Sequence, residues 1–437
     1  MAGGDRPAVR TARDEVAAVW RIESARIVGL LARRTGDLAL AEDVAQEAFA
    51  QALVSWPRDG IPEDPAAWLV AVAKRRAIDA FRRRSALDDR YATMSHGLAD
   101  GETLTGRVAS RRVGQESASV EDEGDPERIS DDLLALMFTA CHPALSPESR
   151  VSLTLRVVGG LTSDEIARAF LIPTATAQAR ITRAKKTLSS AGVPFAVPSP
   201  EERFERLGAV LSTIYVIFTE GSTATSGDRL IREDLAHEAT RFARMLSRLM
   251  PEEPESHGLL ALLELTAARF PARTGPDHEP VLLADQDRRR WDRSAIRRGR
   301  AALATARRVG AGLGAYGLQA SIAECHAVAR SVEETDWERI VVIYDALTRL
   351  APSPIADLNR AVAVSMADGP AAALLLVDAL AEDERLERTH LLPTVRGELL
   401  SRLGRNTEAG EEFAKALGLC SNSAERSVLD RKIAGLD

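Results

Sequence analysis

Six basic side chains crowd into the eleven residues KRRAIDAFRRR, where Lys74, Arg75, Arg76, Arg82, Arg83 and Arg84 are opposed by Asp79 alone, a local charge of +5. Interleaved with apolar Ile78 and Phe81, they suit one helix that packs on a core and presents guanidinium groups to phosphates. A second basic stretch, LTSDEIARAFLIPTATAQARITRAKKTL, runs from Leu161 to Leu188. Between Ser163 and Leu188 the five bases Arg168, Arg180, Arg183, Lys185 and Lys186 face two acids, Asp164 and Glu165. Thr162 or Ser163 is placed to cap a helix, with Glu165 reaching back, and Ile166, Ala167 and Phe170 supply its apolar face. Leu171-Ile172-Pro173 then forms a short turn, and a second helix starts near Thr174. This spacing predicts a helix-turn-helix, whose second helix enters the major groove of DNA with its N-terminal residues at the base edges.

Other reactive residue types do not form a competing site. The dipeptides Cys141-His142 and Cys325-His326 combine a thiol with an imidazole, but neighbours on a helix point about 100° apart, and neither CxxC nor HExxH spacing is present. No GxxxxGK[ST] or GxGxxG run supplies a phosphate loop, and GLGAYG fails the spacing. The expectation is therefore no catalytic residue, no metal and no cofactor. Cys141, Cys325 and Cys420 are three and widely spaced, which does not suit a disulfide scaffold and points to a reducing cytoplasm. A charged beginning, MAGGDRPAVRTARDE, and the lack of an apolar run of about 18 residues argue against export and membrane spanning.

The elements that must position these residues are helical. The chain has 437 residues, 45% hydrophobic, and only 4% are aromatic, which with abundant Ala, Leu, Arg and Glu favours an all-α fold of more than one domain. From Arg13 to Arg84, Val16, Val19, Trp20, Ile27, Leu30 and Leu31 form one apolar stripe. Asp37 is placed to cap a second helix through LALAEDVAQEAFAQAL, which the prolines and glycine of WPRDGIPEDP are expected to break. A third runs from Ala66 to about Arg84. These make a first domain over 13–86. Periodicity lapses over 87–128, an expected flexible acidic linker; between Glu116 and Asp132 eight acids face one base, Arg128. A second domain spans 129–190 with the helix-turn-helix, and after GVPFAVPSPEE a helical region covers 195–437. Within it, from about 336, Ile340, Ala373 and Ala409 fall in register with Tyr344, Val377 and Phe413 four residues later. The offsets of 33 and 36 bracket the repeat of about 34 residues of tetratricopeptide (TPR) helix pairs.

Two basic helices in this order, separated by an acidic linker, resemble an extracytoplasmic-function (ECF) sigma factor of the sigma-70 family, in which sigma domain 2 is joined to sigma domain 4. DLALAEDVAQEAFAQAL resembles the segment that binds core RNA polymerase, PAAWLVAVAKRRAIDAFRRR the promoter −10 segment, and the helix-turn-helix the −35 reader. The run DDLLALMFTACHPALSPESRVSLTLRVVGGLT is similar to the subgroup with a long TPR-like helical C-terminal extension. The resemblance implies that Asp37, Glu42, Asp43, Gln46, Glu47 and Phe49 dock on the β′ coiled coil, and that domain 4 meets the β flap. It implies that Arg58, Asp59 and the loop to Asp64 capture an unstacked base. Trp68 stands where an aromatic is usual, for core packing or for stacking on DNA. Lys74, Arg75, Arg76, Arg82, Arg83 and Arg84 would touch phosphates. Thr174, Thr176, Gln178, Ala179, Arg180 and Arg183 would meet the −35 element, Gln and Arg offering bidentate contacts to adenine and guanine, with Lys185 and Lys186 beside them. Small residues at Ala175, Ala177 and Ala179 depart from the usual run. An anti-sigma or other regulatory protein on the C-terminal region is a further implied partner.

The competing reading is a one-component regulator, with the helix-turn-helix on an operator and the C-terminal helices sensing a ligand or peptide. The AEDVAQEAF segment separates the two, since a repressor needs no polymerase-docking helix. The formal net charge of −7 opposes DNA binding only as an average, because basic helices of +5 and +3 flank an acidic stretch.

Overall fold

In the computed structural model the described residues are 6–79, 126–170, 172–222, 232–275, 280–387, 389–420 and 423–436. Arg82, Arg83, Arg84 and nearly all of the expected linker lie outside them. The described residues form helices, with one isolated β-bridge between Thr274 and Pro280 and no strand. The all-α expectation therefore holds. The chain divides into two compact units, Met1–Ala167 with Pro173–Val210, and Arg168–Ile172 with Leu211–Asp437.

The first unit begins with α1 (Arg6–Thr35), α2 (Leu38–Asp59) and α3 (65–79). On α1, Val16, Trp20, Ile27, Leu30 and Leu31 of the expected stripe are all buried. Asp37 caps α2 through its Oδ1, which accepts from the N–H groups of Ala39 and Leu40 at 2.9 and 3.1 Å. The expected break falls within WPRDGIPEDP, at its glycine. Pro57 sits in the last turn of α2, whose end is set by Gly60 at φ 86°. Arg58 and Asp59 thus belong to the final helical turn, and the connector shrinks to Gly60–Asp64. Asp64 caps α3 by accepting from Ala67 N–H at 2.9 Å.

Helix resumes at α4 (Pro126–Ala140), three residues before the expected start, and continues as α5 (Pro147–Val157), α6 (Ser163–Ala169) and α7 (Thr174–Ser190). α4 and α5 pack on α1, and α7 packs on α5 and α2. The helices on either side of the expected linker therefore pack together in this unit. Trp20 of α1 donates its indole N–H to the Gly160 carbonyl at 3.1 Å. Gly160, at φ 68°, lies so close to α1 that a Cβ there would meet Ser24 Oγ at 2.4 Å. Arg33 pairs with the buried Asp132 at 3.0 Å, and Arg21 with Glu165 at 2.5 Å.

α8 (Pro200–Ser222) carries the chain onward, and the second unit contains α9 (Glu233–Leu249), α10 (Pro254–Ala267), the short α11 (Phe270–Arg273), α12 (Arg293–Val309) and α13 (Ala315–Val328). α10 is its hub and packs on α9, α12 and α13. Its buried Glu264 is held by Arg244 at 2.6 Å and Arg298 at 2.9 Å, so the enclosed charge is paired from two helices. The remainder is α14 (Trp337–Leu350), α15 (Pro354–Ala367), α16 (Pro370–Leu380), α17 (Leu391–Arg402), α18 (Asn406–Leu419) and α19 (Ser423–Ala434), each packed on the next. The repeat register falls on alternate members of this series: Ile340 lies on α14, Ala373 on α16 and Ala409 on α18, all buried, and Val377 and Phe413 are buried as well. Stacked helix pairs sharing an apolar seam are the geometry of a TPR-like array.

Candidate nucleic-acid and polymerase interface

The helix-turn-helix forms as the side chains dictate. Thr162 and Glu165 make a reciprocal capping box: Glu165 Oε2 accepts from the Thr162 N–H at 2.8 Å, and Thr162 Oγ1 accepts from the Glu165 N–H at 3.2 Å. The Glu165 carboxyl is disfavoured as an anion by burial, but the Thr162 backbone and hydroxyl donors and then Arg21 outweigh this, so its pKa falls below the ordinary range. Pro173 precedes α7 and cannot continue α6. On α7, Ala177, Ile181, Ala184 and Leu188 recur at helical spacing and are buried. That stripe turns Gln178, Ala179, Arg183 and Lys186 to solvent, while Thr174, Thr176 and Arg180 are half-buried. Thr174 is also engaged within the motif, its hydroxyl hydrogen-bonded to Asp164 Oδ1 at 2.9 Å.

Lys185 faces elsewhere. Its ammonium lies 2.8 Å from Glu42 Oε2 and 2.6 Å from Asp43 Oδ1, both on α2. Arg156 of α5 completes the cluster, its Nε donating to Glu42 Oε1 at 2.7 Å. Glu42 is only 3% exposed, and Arg156 and Lys185 are 16% and 15% exposed. Burial pushes the Glu42 carboxyl toward neutrality, but Arg156 and Lys185 more than offset it, so its pKa is lowered. Burial likewise opposes the charge of Lys185, and Glu42 with Asp43 raises its pKa on balance. Two residues expected to dock on polymerase and one expected to touch DNA are thus bound to one another.

The remaining residues of α2 and α3 sort by burial. Glu47 is exposed and pairs with Arg76 at 2.7 Å, and the other Arg76 amino group donates to Gln51 at 3.0 Å. Gln46 is half-buried. Phe49 is buried and stacks on Trp20 with ring centroids 4.8 Å apart, a core contact. Trp68 is half-buried and meets the buried Trp56 edge-to-face at 5.3 Å. Arg58, Asp59 and Arg75 are exposed. Lys74 is half-buried, and burial, followed by the charge of Arg34, lowers its pKa.

Sequence reasoning did not single out Arg156. A signal for its partner was present, because Glu42 falls on the stripe of Leu38, Ala45, Phe49, Ala52 and Trp56, all of them buried. A carboxylate on that face requires a cation, and nothing local in the chain names it.

Three stretches of the chain match known protein families. Residues 21–86 match the family described as Sigma-70 region 2, residues 135–188 match Sigma-70, region 4, and residues 206–307 match a family of unknown function, DUF6596. An uncharacterized protein of Rhizobium meliloti (strain 1021) is 42% identical over 402 residues, covering 92% of this chain and 91% of that protein. The probable ECF RNA polymerase sigma factor SigI of Mycobacterium tuberculosis is 28% identical over 191 residues, 44% of this chain and 60% of its own. The ECF RNA polymerase sigma factor SigW of Bacillus subtilis is 27% identical over 176 residues, 40% of this chain and 88% of its own. With regions 2 and 4 in the order and places that the helices occupy, the chain belongs to the sigma-70 family as an ECF-type sigma factor with a C-terminal helical extension.

Proposed function

We propose that this sigma factor binds core RNA polymerase and directs promoter-specific initiation through a division of labour among its domains. Domain 2 (13–86) docks on the β′ coiled coil through α2 and reads and melts the −10 element. Domain 4 (129–190) engages the β flap and reads the −35 element with α7. The region 195–437 regulates in cis. The observation that carries this reading is α7 itself, whose buried Ala177, Ile181, Ala184 and Leu188 leave Gln178, Arg183 and Lys186 on the open face, the donor types that read adenine, guanine and phosphate. The Glu42–Arg156–Lys185 pairs support the further reading that the free chain is closed and exchanges them for polymerase contacts before both domains work.

Transcript sequencing with core polymerase and the full chain, beside a version ending after Gly192, tests the proposal. Defined start sites that share −35 and −10 elements are expected, and their number or strength should change on truncation. Failure of the full chain to bind core polymerase would overturn the sigma reading in favour of a one-component regulator. Equal activity of the two versions would remove the regulatory role.

A further inference from the structure

Three side chains from separate parts of the last two helix pairs converge in the second unit. His390 stands at the N-cap of α17, Cys420 at the C-cap of α18, and Glu425 in the first turn of α19. Their ligand atoms all lie within 4.8 Å of one another. His390 Nε2 is 3.3 Å from Glu425 Oε2, and Cys420 Sγ is 3.7 Å from the same oxygen. A tetrahedral zinc ion with bonds of about 2.3 Å to sulfur and about 2.1 Å to nitrogen and oxygen separates such donors by about 3.4 Å for N···O and about 3.6 Å for S···O. The two distances to Glu425 Oε2 are close to those of that geometry.

We propose that His390, Cys420 and Glu425 form a site for one divalent ion of the zinc class, bound through imidazole nitrogen, thiolate and carboxylate. The donor set fits a borderline-soft ion and disfavours calcium or magnesium, which take oxygen ligands. The charges balance: thiolate and carboxylate neutralise the dication, and the thiol proton leaves to solvent on binding. Three protein ligands leave a fourth position for water or an anion. His390 and Glu425 line a cavity of about 410 Å³ that Arg269, Arg273 and Gln286 also line. Arg269 and Gln286 thus put polar side chains in the lining of that cavity beside the proposed ion. The ion would tie α19 to α17 and α18.

Cobalt(II) added to the metal-stripped full-length protein tests this site. One equivalent should produce the near-ultraviolet sulfur-to-cobalt charge-transfer band and the visible bands of tetrahedral cobalt, and zinc should displace it. Cys420→Ser should abolish the charge-transfer band, and His390→Gln and Glu425→Gln should each weaken binding at least tenfold. Variants that hold Ser at both Cys141 and Cys325 should keep the band, which assigns it to Cys420 even if Cys420→Ser fails to fold. Absence of a band in the wild-type chain, or a band that survives in folded Cys420→Ser, would show the cluster to be only a hydrogen-bonded polar knot and overturn the proposal.

Discussion

Arg156→Met probes the packing of α2 on α5 and α7 without touching an expected docking residue or DNA contact, although it also removes the donor to the Leu161 carbonyl at 3.2 Å. The substitution keeps the apolar stem and removes the guanidinium that donates to Glu42 Oε1 at 2.7 Å. Glu42 is 3% exposed, so water cannot replace that donor. Removing one partner of a buried pair costs about 3–5 kcal/mol. Lys185 remains 2.8 Å from the other carboxylate oxygen, which reduces the loss to roughly 2 kcal/mol. At 1.4 kcal/mol per factor of ten, the equilibrium between packed and separated domains shifts about thirtyfold. If polymerase binds only the separated form, the apparent affinity rises with the fraction of that form, to at most about thirtyfold. Titrating fluorescently labelled full-length chain with core polymerase measures this, and a melting curve confirms that the packing has weakened. A lower melting temperature with unchanged or poorer polymerase affinity would refute the idea that Glu42 must be released before docking.

Reversing charge on the docking helix should act in the opposite sense: Glu42→Lys or Asp43→Lys is expected to weaken association with core polymerase at least tenfold, and unchanged co-elution would count heavily against the sigma assignment of α2. Promoter binding by the holoenzyme should fall steeply with salt, and Arg183→Ala or Lys186→Ala should each reduce the salt slope by about one if it lies on a phosphate; a flat response contradicts the interface. The domain packing should also depend on pH at both ends. Glu42 has a lowered pKa, so its contribution is present above the ordinary value of 4.5 and is lost as pH falls through the depressed one. Lys185 has a raised pKa, so its contribution is present below 10.5 and is lost as pH rises through the elevated value. Melting temperature followed across pH should therefore be flat between these limits in this respect, and Glu42→Gln should flatten the acid limb.

The local elements were legible because each rests on neighbours in the chain. Asp37 caps α2, Thr162 and Glu165 close their box, and the stripe from Val16 to Leu31 is buried except for the half-buried Val19, as the spacing implies. The repeat was legible for the same reason, since residues 33 and 36 apart in the chain take equivalent places when helix pairs stack. The break expected within WPRDGIPEDP falls at its glycine: Pro57 lies inside the last turn of α2, and Gly60 ends the helix.

Residue type and order along the chain thus determined an all-α protein, two DNA-binding-type helical segments and a helical array, because helix formation, capping and amphipathic faces depend on side chains within a few positions of one another. The tertiary structure decided which charges remain free to act. Lys185 and Glu42 are 143 residues apart and neutralise each other, Phe49 packs into the core, Trp68 meets Trp56, and His390 meets Cys420 and Glu425. Such pairings depend on how helices distant in sequence are brought together and on the cost of burying a charge unpaired, and neither is written in any local window of the chain.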